Sequence, residues 1–161
     1  ISTKMKHSFI YLPCLLFLFF AQSATAQFSV GAGLAYGAEL EDLGIQVKGL
    51  YQIDDTWRGA VDLIFYFDGV EDVNVTEINL NGQYLFGDIE SVAPYALAGL
   101  NIFRVGTSLD GTSFSASEVG LNVGGGVNFP ISETLTGAAE LKYVIGDADQ
   151  LVIGAGVIFS F

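Results

Sequence analysis

The chain has 161 residues, enough for one domain, and 51% of them are hydrophobic, yet no run reaches the roughly 18–20 apolar residues that a membrane-spanning helix needs. Glycine is abundant (20 residues) and proline scarce (3) without any low-complexity tract, so the glycine is not that of a flexible linker. The formal charge is −12 and unevenly spread: residues 1–26 carry only Lys4, Lys6 and His7, while the remainder sets four bases against all 18 acids, which leaves no basic face for nucleic acid.

The N-terminal stretch MKHSFIYLPCLLFLFFAQSATAQF has a short basic start, an apolar run from Phe9 to Ala21, and Ala24-Thr25-Ala26. This is the three-part pattern of a secretory signal peptide, with cleavage expected after Ala26. Residues 1–26 are therefore assigned to the signal, with translation expected from Met5 and residues 1–4 upstream of it. Cys14 does not mark a lipoprotein, because Pro13 stands where a small residue is needed and the apolar run continues past it. Removal of this segment takes away the only Cys, His and Met, so residues 27–161 carry no thiol or imidazole chemistry.

From Gln27 onward the side chains alternate with the period of a β-strand. The first segment, Phe28–Gly37, sets Phe28, Val30, Ala32, Leu34 and Tyr36 against small residues. Gly44–Ile53 sets Ile45, Val47 and Tyr51 against Gln46, Lys48, Leu50 and Gln52, and Asp54-Asp55-Thr56 follows as a tight turn. Trp57–Phe67 opposes Trp57, Val61, Leu63, Phe65 and Phe67 to Arg58, Asp62, Ile64 and Tyr66. Thr76–Phe86 opposes Ile78, Leu80, Tyr84 and Phe86 to Glu77, Asn79, Asn81 and Gln83. Tyr95–Val105 is read with Tyr95, Leu97, Phe103 and Val105 on the apolar face and Ala96, Ala98, Leu100 and Arg104 on the other. Glu118–Phe129 opposes Val119, Leu121, Val123, Val127 and Phe129 to Glu118, Asn122 and Asn128. Leu135–Ile145 opposes Leu141, Tyr143 and Ile145 to Thr136, Glu140 and Lys142. Gln150–Phe161 opposes Leu151, Ile153, Val157, Phe159 and Phe161 to Gln150, Val152, Gly154, Gly156, Ile158 and Ser160. Eight strands of about ten residues match the length of transmembrane β-strands. The glycine-rich GAGLAYG and GGGVNF are not phosphate loops, since no amphipathic helix follows either one.

A soluble lipocalin-like barrel keeps its apolar face inside, and a membrane barrel turns it outward. The charges and rings favour the second arrangement. The four cations Lys48, Arg58, Arg104 and Lys142 and the four acids Asp62, Glu77, Glu118 and Glu140 fall on polar faces, a match expected of a closed interior charge network. Arg104 is expected to bridge Glu77 and Glu118. Fourteen of sixteen aromatic residues fall on apolar faces, with Tyr66 and Phe114 the exceptions. They sort into two girdles: Phe28, Tyr51, Trp57, Tyr84, Phe86, Tyr95, Phe129, Phe159 and Phe161 at one rim, and Tyr36, Phe65, Phe67, Phe103 and Tyr143 towards the other. Bilayer interfaces favour such girdles, whereas a soluble core has no reason to form them. The fold class expected for residues 27–161 is thus all-β, a transmembrane eight-stranded antiparallel up-and-down barrel, with the last strand closing against the first because hydrocarbon tolerates no open edge.

With its Ala-x-Ala signal, APYALAGLN at 93–101, VGLNVGGGVNF at 119–129 and the aromatic-terminated last strand, the chain resembles the small eight-stranded outer-membrane barrels of Gram-negative bacteria, the OmpX/OmpA-like family. The resemblance implies a bacterial outer-membrane location, both termini in the periplasm, and recognition of Phe161 by the barrel-assembly machinery. It also implies contact with outer-membrane lipid and lipopolysaccharide. The segments Ala38–Leu43, Asp68–Asn74, Gly106–Ala116 and Gly146–Asp149 then face the cell exterior, and Glu39, Glu41, Asp42, Asp68, Glu71 and Asp72 become weak candidates for Ca²⁺ or Mg²⁺ bridging to lipopolysaccharide phosphates, against the alternative of solvated loop tips. No catalytic residue and no cofactor is expected, because hydrolases of this setting rely on a His base. The functional expectation is a structural or surface-interaction barrel, with a narrow gated pore as the alternative.

Overall fold

The computed structural model describes residues 27–67, 73–109 and 111–161. Its elements are β1 (Phe28–Gly37), β2 (Asp42–Gln52), β3 (Trp57–Tyr66), β4 (Val73–Leu85), β5 (Ala93–Leu109), β6 (Thr112–Pro130), β7 (Leu135–Ile145) and β8 (Gln150–Ser160), with no helix among the described residues. Each strand pairs antiparallel with the next, and β8 returns to β1 to close the barrel. At that seam Gly33 stands opposite Gly156 and Tyr36 opposite Ile153. The β2–β3 turn forms as its acidic residues predict. The Asp54 carboxylate accepts the backbone N–H groups of Thr56 and Trp57 at 2.7 and 2.8 Å.

The end of the barrel that carries Phe28 and Ser160 is called the lower end below. On every strand except β5 the inward and outward faces are those read from the sequence. Outward positions such as Leu34, Val47, Val61, Leu80, Leu121, Leu141 and Ile153 are exposed, while Lys48, Asp62, Glu77, Asn122, Glu140 and Lys142 are buried inside. A polar interior under an apolar exterior is the arrangement of a barrel solvated by lipid.

Strand β5 is reversed relative to the sequence reading. Tyr95 and Leu97 are both buried at 4% exposure, whereas Leu100 and Ile102 face outward. The strand is apolar on both sides, so alternation alone does not orient it; Asn101, 1% exposed, is the inward marker. Two members of the expected girdles, Tyr95 and Phe103, are therefore displaced to the interior, where Phe103 packs on a buried cluster. The remaining girdle residues, Phe28, Tyr36, Tyr51, Trp57, Phe65, Phe67, Tyr84, Phe86, Phe129, Tyr143, Phe159 and Phe161, are all exposed on the outer wall. Around the lower rim Trp57–Tyr84, Tyr84–Phe86 and Phe159–Phe161 make edge-to-face contacts at 5.2 Å.

The segment Gly106–Ala116, expected as a loop, is instead the top of a long hairpin. β5 and β6 stay paired up to Leu109 opposite Thr112, while β7 joins β6 only from Leu121 opposite Ile145. Gly111 turns the chain with a φ of 81°, a conformation that favours glycine.

The interior is layered along the barrel axis. Ala35, Ile64, Tyr66, Val75, Val144 and Val152 form a buried apolar cluster towards the upper end. Leu50, Ala60 and Ile158 form a smaller one towards the lower end. The charged and amide side chains fill the space between them.

Candidate functional site

The polar middle of the barrel is built from inward positions of β2 to β8. Glu77, fully buried, accepts hydrogen bonds from Tyr66 Oη (3.2 Å), Asn79 Nδ2 (3.3 Å) and Gln150 Nε2, and pairs with Lys142 Nζ at 3.4 Å. Asp62, also fully buried, has no cation within 4 Å among the described residues. It accepts amide hydrogens from Asn79 (2.8 Å), Gln46 (3.4 Å) and Asn81 (3.4 Å) instead. Asn101 and Asn122 donate onward to Asn79 Oδ1 at 2.8 and 2.9 Å. These amides carry the buried charges without a counter-ion for each, as an interior of low dielectric requires.

Lower in the barrel, Lys48 Nζ reaches across the lumen to Glu140 Oε2 at 2.8 Å, although its direct cross-strand neighbour is Asp62. Tyr95 Oη donates to the same oxygen of Glu140 at 2.7 Å. The face of the Tyr95 ring takes the Arg58 guanidinium at 5.2 Å from its centroid. Arg58 Nε donates to Gln83 Oε1 at 2.6 Å.

Six of the eight residues of the expected interior charge network are thus inside the barrel: Lys48, Arg58, Asp62, Glu77, Glu140 and Lys142. Arg104 and Glu118 are not part of it. Arg104 stands opposite Thr76 and Ser117 on the outer face of β5, and Phe103 takes the inward place between Glu77 and Glu118. A strand's side chains alternate, so the reversal of β5 carries Arg104 to the far side of the wall from both carboxylates. Glu118 lies exposed at the upper mouth beside Phe103, Gly120 and Val144. The sequence reading placed Asn79, Asn81, Gln83 and Tyr66 on the inner wall without assigning them a role. They supply most of the hydrogen bonds. The signal was the run of amides at alternate positions of β4.

Of the weak cation candidates, Glu39 accepts the Leu151 backbone N–H at 2.7 Å, Glu41 is exposed and Asp42 begins β2. Asp68, Glu71 and Asp72 lie outside the described residues, as does the expected signal segment 1–26. Among the described residues no group of three or more His, Cys, Asp or Glu gathers as metal ligands.

Below Leu50 and Ile158 a cavity of about 510 Å³ opens through the lower mouth, lined by residues that include Arg58, Asn128, Asp88 and Glu90. A space of only about 20 Å³ follows it beside Lys48 and Glu140. Above that, the hydrogen-bonded middle and the upper apolar cluster occupy the lumen. Closed barrel, lipid-type outer wall and packed polar interior describe one architecture, and the family comparison agrees: the model of the outer membrane protein beta-barrel domain matches residues 12–161.

The chain belongs to this family. It is an outer-membrane β-barrel protein, and its solved neighbours share the barrel. The N-terminal β-barrel domain of Pseudomonas aeruginosa OprF aligns at a TM-score of 0.70 with 20% identity, covering 85% of this chain and 98% of that one. Neisserial surface protein A aligns at 0.68 with 22% identity, covering 83% and 97%. Ail, the attachment invasion locus protein of Yersinia pestis, aligns at 0.54 with 21% identity, covering 83% and 97%. At such identities the likeness is one of fold. No curated protein matches the chain.

Proposed function

We propose that this outer-membrane barrel is a non-catalytic structural protein of the bacterial envelope that presents the β5–β6 hairpin as an interaction surface. The observation that carries this reading is the filled lumen: Glu77 holds four polar groups at mid-height, under a buried cluster of six residues. An eight-stranded barrel has an interior barely wide enough for its own side chains. The hairpin is the longest extension of the fold, and Phe114 and Val119 on it are exposed at 61% and 69%. The reading takes both chain ends as periplasmic, residues 1–26 as a cleaved signal, and Phe161 as the contact for barrel assembly. Outer-membrane lipid and lipopolysaccharide are its surroundings, with divalent cations at the outer acids as bridging partners. The likeness to Ail, an attachment invasion locus protein, supports a surface-contact role by analogy of fold.

The cavity at the lower mouth favours a second reading, a narrow pore that opens when the Glu77–Lys142 layer rearranges. Planar-bilayer recording on the refolded protein separates the two. The structural reading expects a silent membrane at ±100 mV, and discrete conductance steps that survive repurification overturn it in favour of the pore. Hydrolysis of a phospholipid substrate by the same preparation would contradict the non-catalytic assignment.

A further inference from the structure

The cavity at the lower mouth is lined by charged side chains of both signs. Arg58 lines it, half-buried, and is the only inward-facing cation on the described strands without a carboxylate within 4 Å. Asp62, four residues along the same strand, is separated from it by the apolar layer of Leu50, Ala60 and Ile158. Glu140 is already held by Lys48 and by the Tyr95 hydroxyl, while the face of the Tyr95 ring is turned to Arg58. The partners of the guanidinium are neutral: Gln83 on Nε, and Asn128, whose side-chain oxygen, oriented to accept, lies 3.1 and 3.0 Å from Nη1 and Nη2. A guanidinium has five N–H donors. One on each terminal nitrogen is left without a protein acceptor among these partners; the two point from opposite edges of the guanidinium, and each can donate singly to a carboxylate oxygen.

Two further charged side chains line the cavity, and they have the opposite sign. Asp88 and Glu90 come from the turn between β4 and β5, and the rest of the wall mixes neutral hydrogen-bonding side chains such as Gln52 and Thr136 with apolar ones such as Leu50 and Ile158. A simple anion drawn to Arg58 meets the two acids, and a simple cation drawn to the acids meets Arg58. A molecule that carries both charges satisfies both ends. The volume, about 510 Å³, lies within the range of small-molecule sites.

We infer that the lower mouth of the barrel binds a small zwitterion, a free amino acid or a short peptide, with its carboxylate on Arg58 and its ammonium towards Asp88 and Glu90. The inference stands independently of whether the barrel conducts.

The test uses the refolded full barrel in detergent micelles, titrated with glycylglycine and followed by amide chemical shifts. N-acetylglycine, which keeps only the carboxylate, and glycinamide, which keeps only the ammonium, are titrated alongside. Saturable shifts confined to the lower mouth are expected with glycylglycine, with each single-charge analogue at least tenfold weaker. R58Q is expected to weaken glycylglycine binding at least tenfold. The double variant D88N/E90Q alters exposed turn residues outside the barrel wall, so it gives the same readout even where R58Q fails to fold, and it is also expected to lose at least tenfold. No saturable shift, equal binding of N-acetylglycine, or glycylglycine binding unchanged in D88N/E90Q overturns the inference.

Discussion

Glu77 and Lys142 form the buried ion pair on which the middle of the barrel depends. Both are sealed from solvent, and Tyr66, Asn79 and Gln150 also donate to Glu77. Removing one member of such a pair leaves an uncompensated charge, at a cost of about 3–5 kcal/mol, whereas replacing both with apolar groups of similar size is often neutral. Glu77→Gln is therefore expected to lower the unfolding free energy of the barrel, measured by urea titration in lipid vesicles, by an amount in that range. Glu77→Gln combined with Lys142→Met is expected to regain most of the loss. A single variant as stable as the parent would show that the pair is dispensable. The inward direction of both side chains was legible from the period of two, because Ile78, Leu141 and Tyr143 mark the opposite face. The partners were not. Lys48 is level with Asp62 on the next strand yet bonds Glu140 across the lumen, which only the closure and stagger of the whole sheet bring about. Arg104 misled for a related reason: as the lone charge on a strand apolar on both faces, it suggested the wrong inner side.

At the scale of the element, turns and strand ends were read well where polar turn residues interrupt a clear alternation, as at Asp54–Thr56. The top of the β5–β6 hairpin reads as a loop in the sequence because serines and threonines occupy both of its faces and no apolar period reveals the strands. A turn signal in the sequence does not by itself give the length of the strands it joins. The seam between β1 and β8 carries a different kind of information. A Cβ on Gly156 would meet the Ala32 carbonyl oxygen and lie 2.7 Å from the Cα of Gly33, which faces it. Neither contact is with a flexible side chain, so the strands themselves must separate. Gly156→Val is expected to cost about 1–3 kcal/mol by overpacking, measured by the same urea titration. Ala155→Val, on the lipid-facing side of the same strand, is expected to be close to neutral. Equal effects from the two would contradict the close approach of the seam.

For the whole molecule, the inversion of polarity was the most legible property, since twelve rings line the outer wall near its two rims. Aliphatic residues at alternate positions of all eight strands fill the band between them. The filling of the interior was less so, because it depends on which amides meet: Asn79 joins Asp62, Asn101 and Asn122 from three other strands. The central claim is that this barrel turns its apolar face to lipid and packs its polar face inside, on every strand including the misread β5. Nitroxide labels placed singly at Asn79, Leu80, Leu100, Asn101, Ile102 and Phe103 of the vesicle-reconstituted protein test it most directly. Lipid-dissolved oxygen is predicted to reach Leu80, Leu100 and Ile102 readily and Asn79, Asn101 and Phe103 poorly. The opposite phase, or uniform accessibility without a period of two, would contradict the account.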